Sequence, residues 1–531
     1  MMLKKFKAYT LILWIIGWVI AYYFLLPPIN PTNIGFWMFF LPALIGPVFI
    51  IYQTKTISKG FNKGKSLYPT IVVGVLIVVY LLGTVIFSPM FSSKMYKNRI
   101  QITNGSFKED IQEVDFNNLP LLDKDSARKV GDRVVGQIPE LVSQFSVSDE
   151  YSLINYNNKI VRATPLEHNG FFKYLANQQG TAGYILVDCT TGEATLVRTE
   201  DGLKYLPSAY FFHNLNRHLR FNYPFTNFGD ISFEVDEQGV PYWIVQTVRY
   251  TWVNLKKEVS GVIAVNAITG ETIKYEIKDI PVWIDEVFDA RLVIEEIDSW
   301  GRYQNGYLNS IFAQKNVVQT TDGYTYITMN DDVYMYTGIT SISSDESNIG
   351  FVLVNLRTHE ARFYDVPGAE EYSAMDSATG QVQEKQYTTT FPLLINLNGR
   401  PTYLLSLKDD AGLVKMYAFV DVINYQKVSV TDASLGVKYG AEQYLKMMGI
   451  SSDEPHDLSS AVITIKQISA VVVDGNTYYY ILSDADEKYS INVSVDLSIT
   501  PFMEIGKSYH VEFYNDGQVN VIVLIKEKSL D

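Results

Sequence analysis

Six pairs of adjacent acidic residues are the first candidates for chemistry in this sequence. Two carboxyl groups can act as general acid and general base when their surroundings separate their pKa values. The pairs are Asp285 with Glu286, Glu295 with Glu296, Asp331 with Asp332, Asp345 with Glu346, Glu370 with Glu371 and Asp409 with Asp410. Adjacent acids on turns and helices usually form solvated surface, so these pairs by themselves do not identify a catalytic residue.

Histidine and cysteine offer little further chemistry. His213 and His218 are five residues apart, which is about 140° around a helix, whereas paired metal ligands prefer a spacing of three or four. The single Cys189 excludes a disulfide framework and a cysteine-based zinc site. Residues 60–66, GFNKGKS, are one residue short of a phosphate loop. The sequence therefore predicts no metal and no cofactor; it leaves an enzyme open but favours a protein without catalytic residues.

A turn motif recurs along the chain between apolar runs. VDCTTGEATLVR begins at residue 187, VNAITGETIKYE at 265, VNLRTHEARFYD at 354 and DSATGQ at 376. Asp and Asn side chains accept backbone N–H bonds in Asx turns, and Gly adopts positive φ without strain. Each copy thus predicts a hairpin turn, and the uneven spacing excludes a repeat array of fixed period. The predicted turn residues are Asp188, Gly192, Asn266, Gly270, Asp376 and Gly380.

A helix followed by antiparallel strands that end in V-D-x-x-T-G-E resembles the PepSY domain. The resemblance covers residues 120–200 and, less closely, residues 228–280. It implies a place outside a bacterial membrane, often tethered to it, and it brings no catalytic residues. The whole layout is also similar to an uncharacterised class of Gram-positive membrane proteins with large exported domains.

Three uncharged apolar runs occupy the first ninety residues, at 8–26, 34–52 and 70–87. Each is near the ~20 residues that a helix needs to cross a bilayer, so three transmembrane helices are predicted. The first run is too long for a signal peptide and lacks a small-x-small cleavage site. Lysines precede the first run and fill the loop after the second, while the loop at 27–33 has none. The positive-inside rule then predicts a cytoplasmic N-terminus and an extracytoplasmic location after about residue 90.

Charge is divided in the same way along the chain. Residues 1–100 contain ten Lys or Arg and no acid, so the remainder carries 34 basic and 58 acidic residues, a net −24. This acidity argues against nucleic acid as a partner. A lone cysteine in an exported protein of this size favours a bacterial source.

The predicted fold class is α+β. It comprises three N-terminal transmembrane helices, a large antiparallel-sheet-rich ectodomain with PepSY-like α+β modules, and a small C-terminal five-stranded β-barrel, OB-like or SH3-like. The predicted divisions are membrane region 1–90, juxtamembrane linker 91–120, first module 121–227, second module with helices 228–320, β-rich module 321–450, linker 451–460 and barrel 461–531.

Three functions are consistent with this layout. The first is a membrane-anchored extracytoplasmic binding or scaffold protein of the cell envelope, which engages an envelope, secretion or peptidase partner. The second is a membrane-anchored hydrolase acting on cell-wall or peptide substrates. The third is an accessory subunit of a transport complex. The lipid bilayer is a predicted partner in each case, nucleic acid is not, and the oligomeric state is left open.

Overall fold

The computed structural model describes residues 2–59, 67–342, 344–449, 459–473, 476–496, 498–515 and 519–527. The chain forms two compact units, Met1–Glu371 and Tyr372–Asp531. The phosphate-loop-like sequence at 60–66 lies outside the described residues, as does most of the predicted linker, residues 451–458.

Four helices open the first unit. They are α1 (Met2–Leu25), α2 (Ile34–Lys59), α3 (Leu67–Ile86) and α4 (Pro89–Lys97). The first three coincide with the predicted apolar runs, and Pro42 and Pro47 lie inside α2. Within the described part of the chain, no helix by itself combines the length and apolarity of a membrane crossing, and only Gly74–Ile86 with Pro89–Lys97, bent by 53°, meet both together.

A five-stranded antiparallel sheet with three helices forms the first module. A short strand and helix come before it, β1 (Ile102–Gly105) and α5 (Phe107–Asp110). The sheet order is β2-β4-β5-β6, and β3 also pairs with β4. The elements are α6 (Lys124–Gly136), α7 (Pro139–Val142), β2 (Phe145–Val147), β3 (Ser152–Tyr156), β4 (Lys159–His168), α8 (Phe171–Ala176), β5 (Thr181–Asp188) and β6 (Ala194–Leu203).

The second module repeats this plan with one helix before four strands. Its sheet order is β10-β9-β8-β7. The elements are α9 (Leu215–Asn222), β7 (Asn227–Val235), β8 (Pro241–Trp252), β9 (Leu255–Asn266) and β10 (Thr272–Glu276). Both modules share one hydrophobic core, in which Tyr184, Phe233 and Trp243 are fully buried. The predicted boundary at residue 227 falls between α9 and the strands that complete its module.

A seven-stranded sheet ends the first unit. Its order is β1-β15-β14-β13-β11, with β12 on β13 and β16 on β14. The elements are α10 (Ala290–Arg302), α11 (Tyr307–Ile311), β11 (Val318–Thr320), β12 (Thr325–Met329), β13 (Asp332–Ser341), β14 (Ser344–Asn355), β15 (Ala361–Tyr364) and β16 (Gly368–Ala369). Because β1 pairs in parallel with β15, the chain that leaves the apolar helices becomes part of this sheet.

The second unit contains a five-stranded sheet and a closed barrel. The sheet order is β17-β19-β20-β21, with β18 on β19, and the barrel order is β22-β23-β24-β26-β25. The elements are α12 (Glu371–Gln381), β17 (Thr388–Thr389), β18 (Leu393–Leu397), β19 (Arg400–Lys408), β20 (Val414–Asp421), β21 (Val428–Asp432), α13 (Val437–Met447), β22 (Ser459–Val473), β23 (Asn476–Ser483), β24 (Lys488–Asn492), β25 (Ser508–Asn515) and β26 (Asn520–Glu527). The predictions of an α+β class and of a five-stranded C-terminal barrel are confirmed.

Candidate functional site

Asp188 organises the turn between β5 and β6. Its Oδ1 accepts hydrogen bonds from the backbone N–H groups of Thr190 and Thr191, both at 2.9 Å. Its carbonyl accepts from the N–H of Gly192 at 2.9 Å, and Gly192 has a φ of +76°. The Thr191 hydroxyl accepts from the N–H of Glu193 at 3.3 Å. Asp188 and Thr191 therefore serve the turn itself, whereas the Thr190 hydroxyl donates to the Leu119 carbonyl at 2.9 Å.

The second and third copies repeat this turn. Asn266 and Asn355 each accept two backbone N–H bonds at 2.9 Å through Oδ1. Gly270 has a φ of +77°, and His359 takes the glycine position with a φ of +66°. The His359 ring stacks on Phe288 with centroids 4.1 Å apart, which helps to offset the cost of a left-handed non-glycine residue.

The residue after the Asp or Asn joins the end of each module to its beginning. Cys189, Ala267 and Leu356 hold this position, and all three are buried. The N–H of Leu122, which precedes α6, donates to the Cys189 carbonyl at 3.0 Å. Equivalent 2.9 Å bonds precede α9 and α10, from Tyr205 to Ala267 and from Phe288 to Leu356. We call these three hairpins the closing turns, because each completes one helix-and-sheet module.

The fourth predicted turn is wrong. Asp376 and Gly380 lie inside α12, not between two strands. Ala374 and Ala378, one helical turn apart, are both fully buried, so packing selects a helix despite the local turn formers. The hairpin that ends this module is formed instead by β20 and β21, where the N–H of Asp421 donates to the Lys427 carbonyl at 3.1 Å.

The predicted acid pairs divide into buried and exposed partners. Glu296, Asp332 and Glu371 are buried, whereas Glu295 and Asp331 are exposed. Each buried member is held by protein donors. Glu296 contacts Arg99 at 3.4 Å and His359 at 2.7 Å, Asp332 accepts from Arg357 at 2.7 Å, and Glu371 accepts from Tyr336 at 2.8 Å. The Asp409 and Asp410 pair is partly exposed, and the side chains of Asp345 and Glu346 lie outside the description.

One pair does belong to a larger carboxyl cluster. Helix α10 starts at Ala290, so Asp285 and Glu286 lie in the loop that precedes it. There the fully buried Glu234 receives the N–H of Asp285 at 2.8 Å and of Glu286 at 3.2 Å. Ser232 donates to the same carboxyl at 2.8 Å. Both Glu234 oxygens therefore hold the chain in place.

Burial sets the protonation of this cluster. It raises the pKa of Glu234 to about 7 and the pKa of Glu286 to about 8. The pKa of Asp285 is raised well above its ordinary value, first by burial and then by the neighbouring Glu234. The backbone N–H of Asn155 donates to Asp285 at 2.8 Å, which links the cluster to β3. Both Glu234 oxygens and Asp285 Oδ2 accept hydrogen bonds from the protein, whereas Asp285 Oδ1 is buried without a hydrogen-bond partner among the described residues.

The histidines singled out by spacing contact different groups. His213 Nδ1 lies 3.2 Å from the Tyr174 hydroxyl, and His218 Nε2 lies 2.7 Å from the Gly270 carbonyl. Burial lowers the pKa of His168 to about 4. Among the described residues, no group of three or more His, Cys, Asp or Glu could hold a metal ion.

The C-terminal end of α1 is bound by two arginines of α9. Arg217 Nε donates to the Tyr23 carbonyl at 3.2 Å, and Arg220 Nε donates to the Leu26 carbonyl at 3.0 Å. Carbonyls at the end of a helix lack intrahelical partners and carry the negative end of the helix dipole. Guanidinium groups donate hydrogen bonds to these carbonyls and bring positive charge to the negative end of the dipole, so α9 fixes this end of α1.

The tip of the β8–β9 hairpin fixes α2 and α3. Asn254 Oδ1 accepts from the first N–H of α2, that of Ile34, at 2.7 Å. Trp252 stacks on Phe87, with ring centroids 5.7 Å apart. The Trp252 indole also fills the space beside Gly83, so a side chain at position 83 would overlap it. We call Arg217, Arg220, Trp252 and Asn254 the helix-docking site.

Residue spacing alone cannot predict the helix-docking site, since its contacts join positions up to 220 residues apart. The sequence signal is the run of aromatic and basic residues at 208–220, which favours only a short helix. No protein-family model matches the chain, and no curated protein shows significant similarity to it.

Proposed function

We propose that the protein is a membrane-anchored binding or scaffold protein of a bacterial cell envelope, with its sheet-rich part outside the membrane. In this proposal α1, α2 and α3 are three membrane spans. The acidic modules and the barrel engage a protein partner of the envelope, of the secretion machinery or a peptidase.

The observation that carries the proposal is the apolar exterior of the first helices. Leu13, Val19 and Phe24 of α1 are 64–68% exposed, and Val75, Leu82 and Ile86 of α3 are 55–57% exposed. A helix that is apolar on all sides is stable when it is surrounded by apolar groups. Lipid supplies such surroundings on every side of the helix at once.

The helix-docking site supports the proposed orientation. It binds the end of α1 and the start of α2, which is the side opposite the lysine-rich loop. If the lysines remain in the cytoplasm, the modules that carry Arg220 and Asn254 lie outside. A firm attachment between helices and modules is what a scaffold needs, because it fixes the modules at a set height above the membrane.

Repeated closed modules favour binding over hydrolysis. In the buried carboxyl cluster, Glu234 is occupied by three donors of its own chain, which is a structural arrangement. The PepSY domain, which the first two modules resemble, also occurs in peptidase propeptides, and this resemblance favours a peptidase as the partner. The five-stranded barrel order with parallel β24 and β26 favours the OB-like alternative, a fold whose surfaces commonly bind extended ligands.

Two measurements test the proposal. Protease added to intact cells should remove the modules, and alkaline carbonate should leave the chain in the membrane pellet. Pull-down from solubilised membranes should recover a protein partner equally well with wild type and with Glu286→Gln, which removes one carboxyl of the cluster that a hydrolase would need. Modules that are protected until lysis, or a chain that carbonate releases, would exclude the proposed location.

A further inference from the structure

An exposed aromatic face lies beside the arginines of the helix-docking site, where the Arg217 guanidinium donates to the Phe211 carbonyl. Phe172 is 81% exposed, Phe212 71% and Phe225 66%. Large apolar side chains that are this exposed in a cluster mark a contact surface. Three further exposed aromatic residues, at 37–49%, continue the patch: Phe171, Phe211 and Phe221. We call these six phenylalanines the aromatic face.

The aromatic face is continuous with the end of α1. The Tyr23 ring lies 6.4 Å from the Phe212 ring and 6.3 Å from the Phe221 ring. Phe171 connects α8 to the same group, with its ring 6.1 Å from Phe211. The Phe225 carbonyl accepts a hydrogen bond at 3.0 Å from the side chain of Asn30. Asn30 lies in the loop between α1 and α2, so this bond connects Phe225 to the same end of α1.

The charge around this face is opposite to that of the rest of the exported part. Residues 168–187 and 202–229, which carry the aromatic face, contain no Asp or Glu. They contain four basic residues, Lys173, Lys204, Arg217 and Arg220. Everything after residue 100 has a net charge of −24, so these two acid-free segments are a local exception. Lys173, Lys204 and Arg217 are partly exposed there, whereas Arg220 is buried.

We propose that the aromatic face and its lysines contact the headgroup region of an anionic lipid bilayer. The proposal rests on the membrane anchoring proposed above, since α1 and α2 must then end at the lipid surface. Phenylalanine rings enter the boundary between headgroups and acyl chains, and lysines attract anionic headgroups. These parts of the first and second modules therefore lie on the membrane surface and do not extend away from it on a tether.

The native cysteine makes a direct test possible. Cys189 is buried, and burial raises the pKa of its thiol to about 12, so it is a poor target for labelling. Cys189→Ala introduces the residue that the second closing turn has at the equivalent position, Ala267. In this Cys189→Ala background, single cysteines at Phe172, Phe212 and Phe225 accept an environment-sensitive fluorophore without disturbing the core.

Lys159→Cys is the matched control. It is exposed at the start of β4, whereas α8 follows the other end of that ten-residue strand, about 30 Å away. The full chain is reconstituted in vesicles of phosphatidylcholine with or without phosphatidylglycerol, and lipids carrying a nitroxide quencher are added. Labels at the three phenylalanine positions should lose most of their fluorescence in anionic vesicles, and the label at residue 159 should not.

The outcomes separate this inference from the proposed function. If the chain stays in the vesicles after carbonate washing but all four labels are quenched to the same extent, the proposed lipid contact of the aromatic face is wrong. The proposed membrane anchoring is then unaffected. Labels that shift to shorter wavelength without quenching would show a protein occupant, such as a second copy, and also overturn the contact. If carbonate releases the chain, the anchor itself fails. Lys173→Gln with Lys204→Gln should reduce quenching at Phe172 in anionic vesicles to the level found without phosphatidylglycerol.

Discussion

Glu234 shows how one buried carboxyl can position a loop between two modules. Three donors converge on it, two of them backbone N–H groups of the loop that carries Asp285 and Glu286. The sequence showed the adjacent acids in that loop, but not the carboxyl on β7 that receives their N–H groups. Sequence can identify a pair of ionisable residues, whereas their protonation depends on burial by distant strands.

Replacing Glu234 should destabilise the first unit strongly. Glu234→Ala leaves two backbone N–H groups without an acceptor in a buried site, and each such group costs about 1–3 kcal/mol. We expect a loss of about 3 kcal/mol in the free energy of unfolding, measured by urea denaturation at pH 7. Glu237→Ala, an exposed position on the following turn, is the control and should change stability by less than about 0.5 kcal/mol. Equal effects of the two variants would contradict this role.

His168 should make the first unit sensitive to acid. It is 5% exposed, and burial lowers its pKa from 6.5 to about 4. The unfolded chain therefore binds an additional proton between these values, so the neutral form stabilises the fold above pH 6.5 and this contribution is lost as the pH falls towards 4. The loss should reach about 3 kcal/mol. His168→Phe should remove that part of the pH dependence in denaturation measured from pH 7 to pH 4, whereas the exposed His510→Phe should retain it.

At the scale of elements, short-range chemistry predicts turns well when strands flank them. The Asn398 and Gly399 hairpin between β18 and β19 and three of the four motif copies illustrate this. The copy at Asp376 fails because the same residue types are part of a helix whose alanines pack into a core. Local composition cannot reveal that packing, since the burial of Ala374 and Ala378 depends on residues outside the motif.

Two glycines test this difference directly. A Cβ added at Gly192 or at Gly380 would meet no atom within 4 Å. The effects of an alanine at these two positions should therefore differ only because their backbone conformations differ. Gly192 has positive φ, and Gly192→Ala should cost about 1 kcal/mol. Gly380 is helical, and Gly380→Ala should stabilise by up to about 1 kcal/mol. Scanning calorimetry should show shifts of opposite sign; a loss of stability in both variants would restore a turn at Gly380.

At the scale of the whole molecule, the sequence predicts the kinds of parts better than their assembly. The apolar runs, the strand-rich centre and the barrel follow from periodicity and composition. The attachment of α1 to Arg220 cannot be predicted in this way, because it joins positions 194 residues apart. The acceptor is a backbone carbonyl, which every residue has, so the residue type gives no signal. The division of charge remains the sequence feature that bears most directly on how the chain is oriented.

Orientation should depend on the lysines between α2 and α3. Lys55, Lys59, Lys63 and Lys65 provide most of the basic residues on the proposed cytoplasmic side, and the loop at 27–33 provides none. Changing all four to asparagine should therefore place a substantial fraction of molecules in the reverse orientation. The measurement is the fraction of a Lys159→Cys label, in the Cys189→Ala background, that a membrane-impermeant thiol reagent reaches in intact cells.

The matched control changes basic residues on the opposite side. Lys94→Gln with Lys97→Gln removes two lysines that oppose the proposed orientation, so labelling should stay complete. The positive-inside bias acts on short loops near the spans, and both sets of lysines satisfy that condition. If the four-lysine variant is labelled as fully as wild type, the docking of α1, α2 and α3 on the modules, and not the lysine distribution, fixes the orientation. If wild type is labelled only after lysis, the modules face the cytoplasm and the anchoring proposal is inverted.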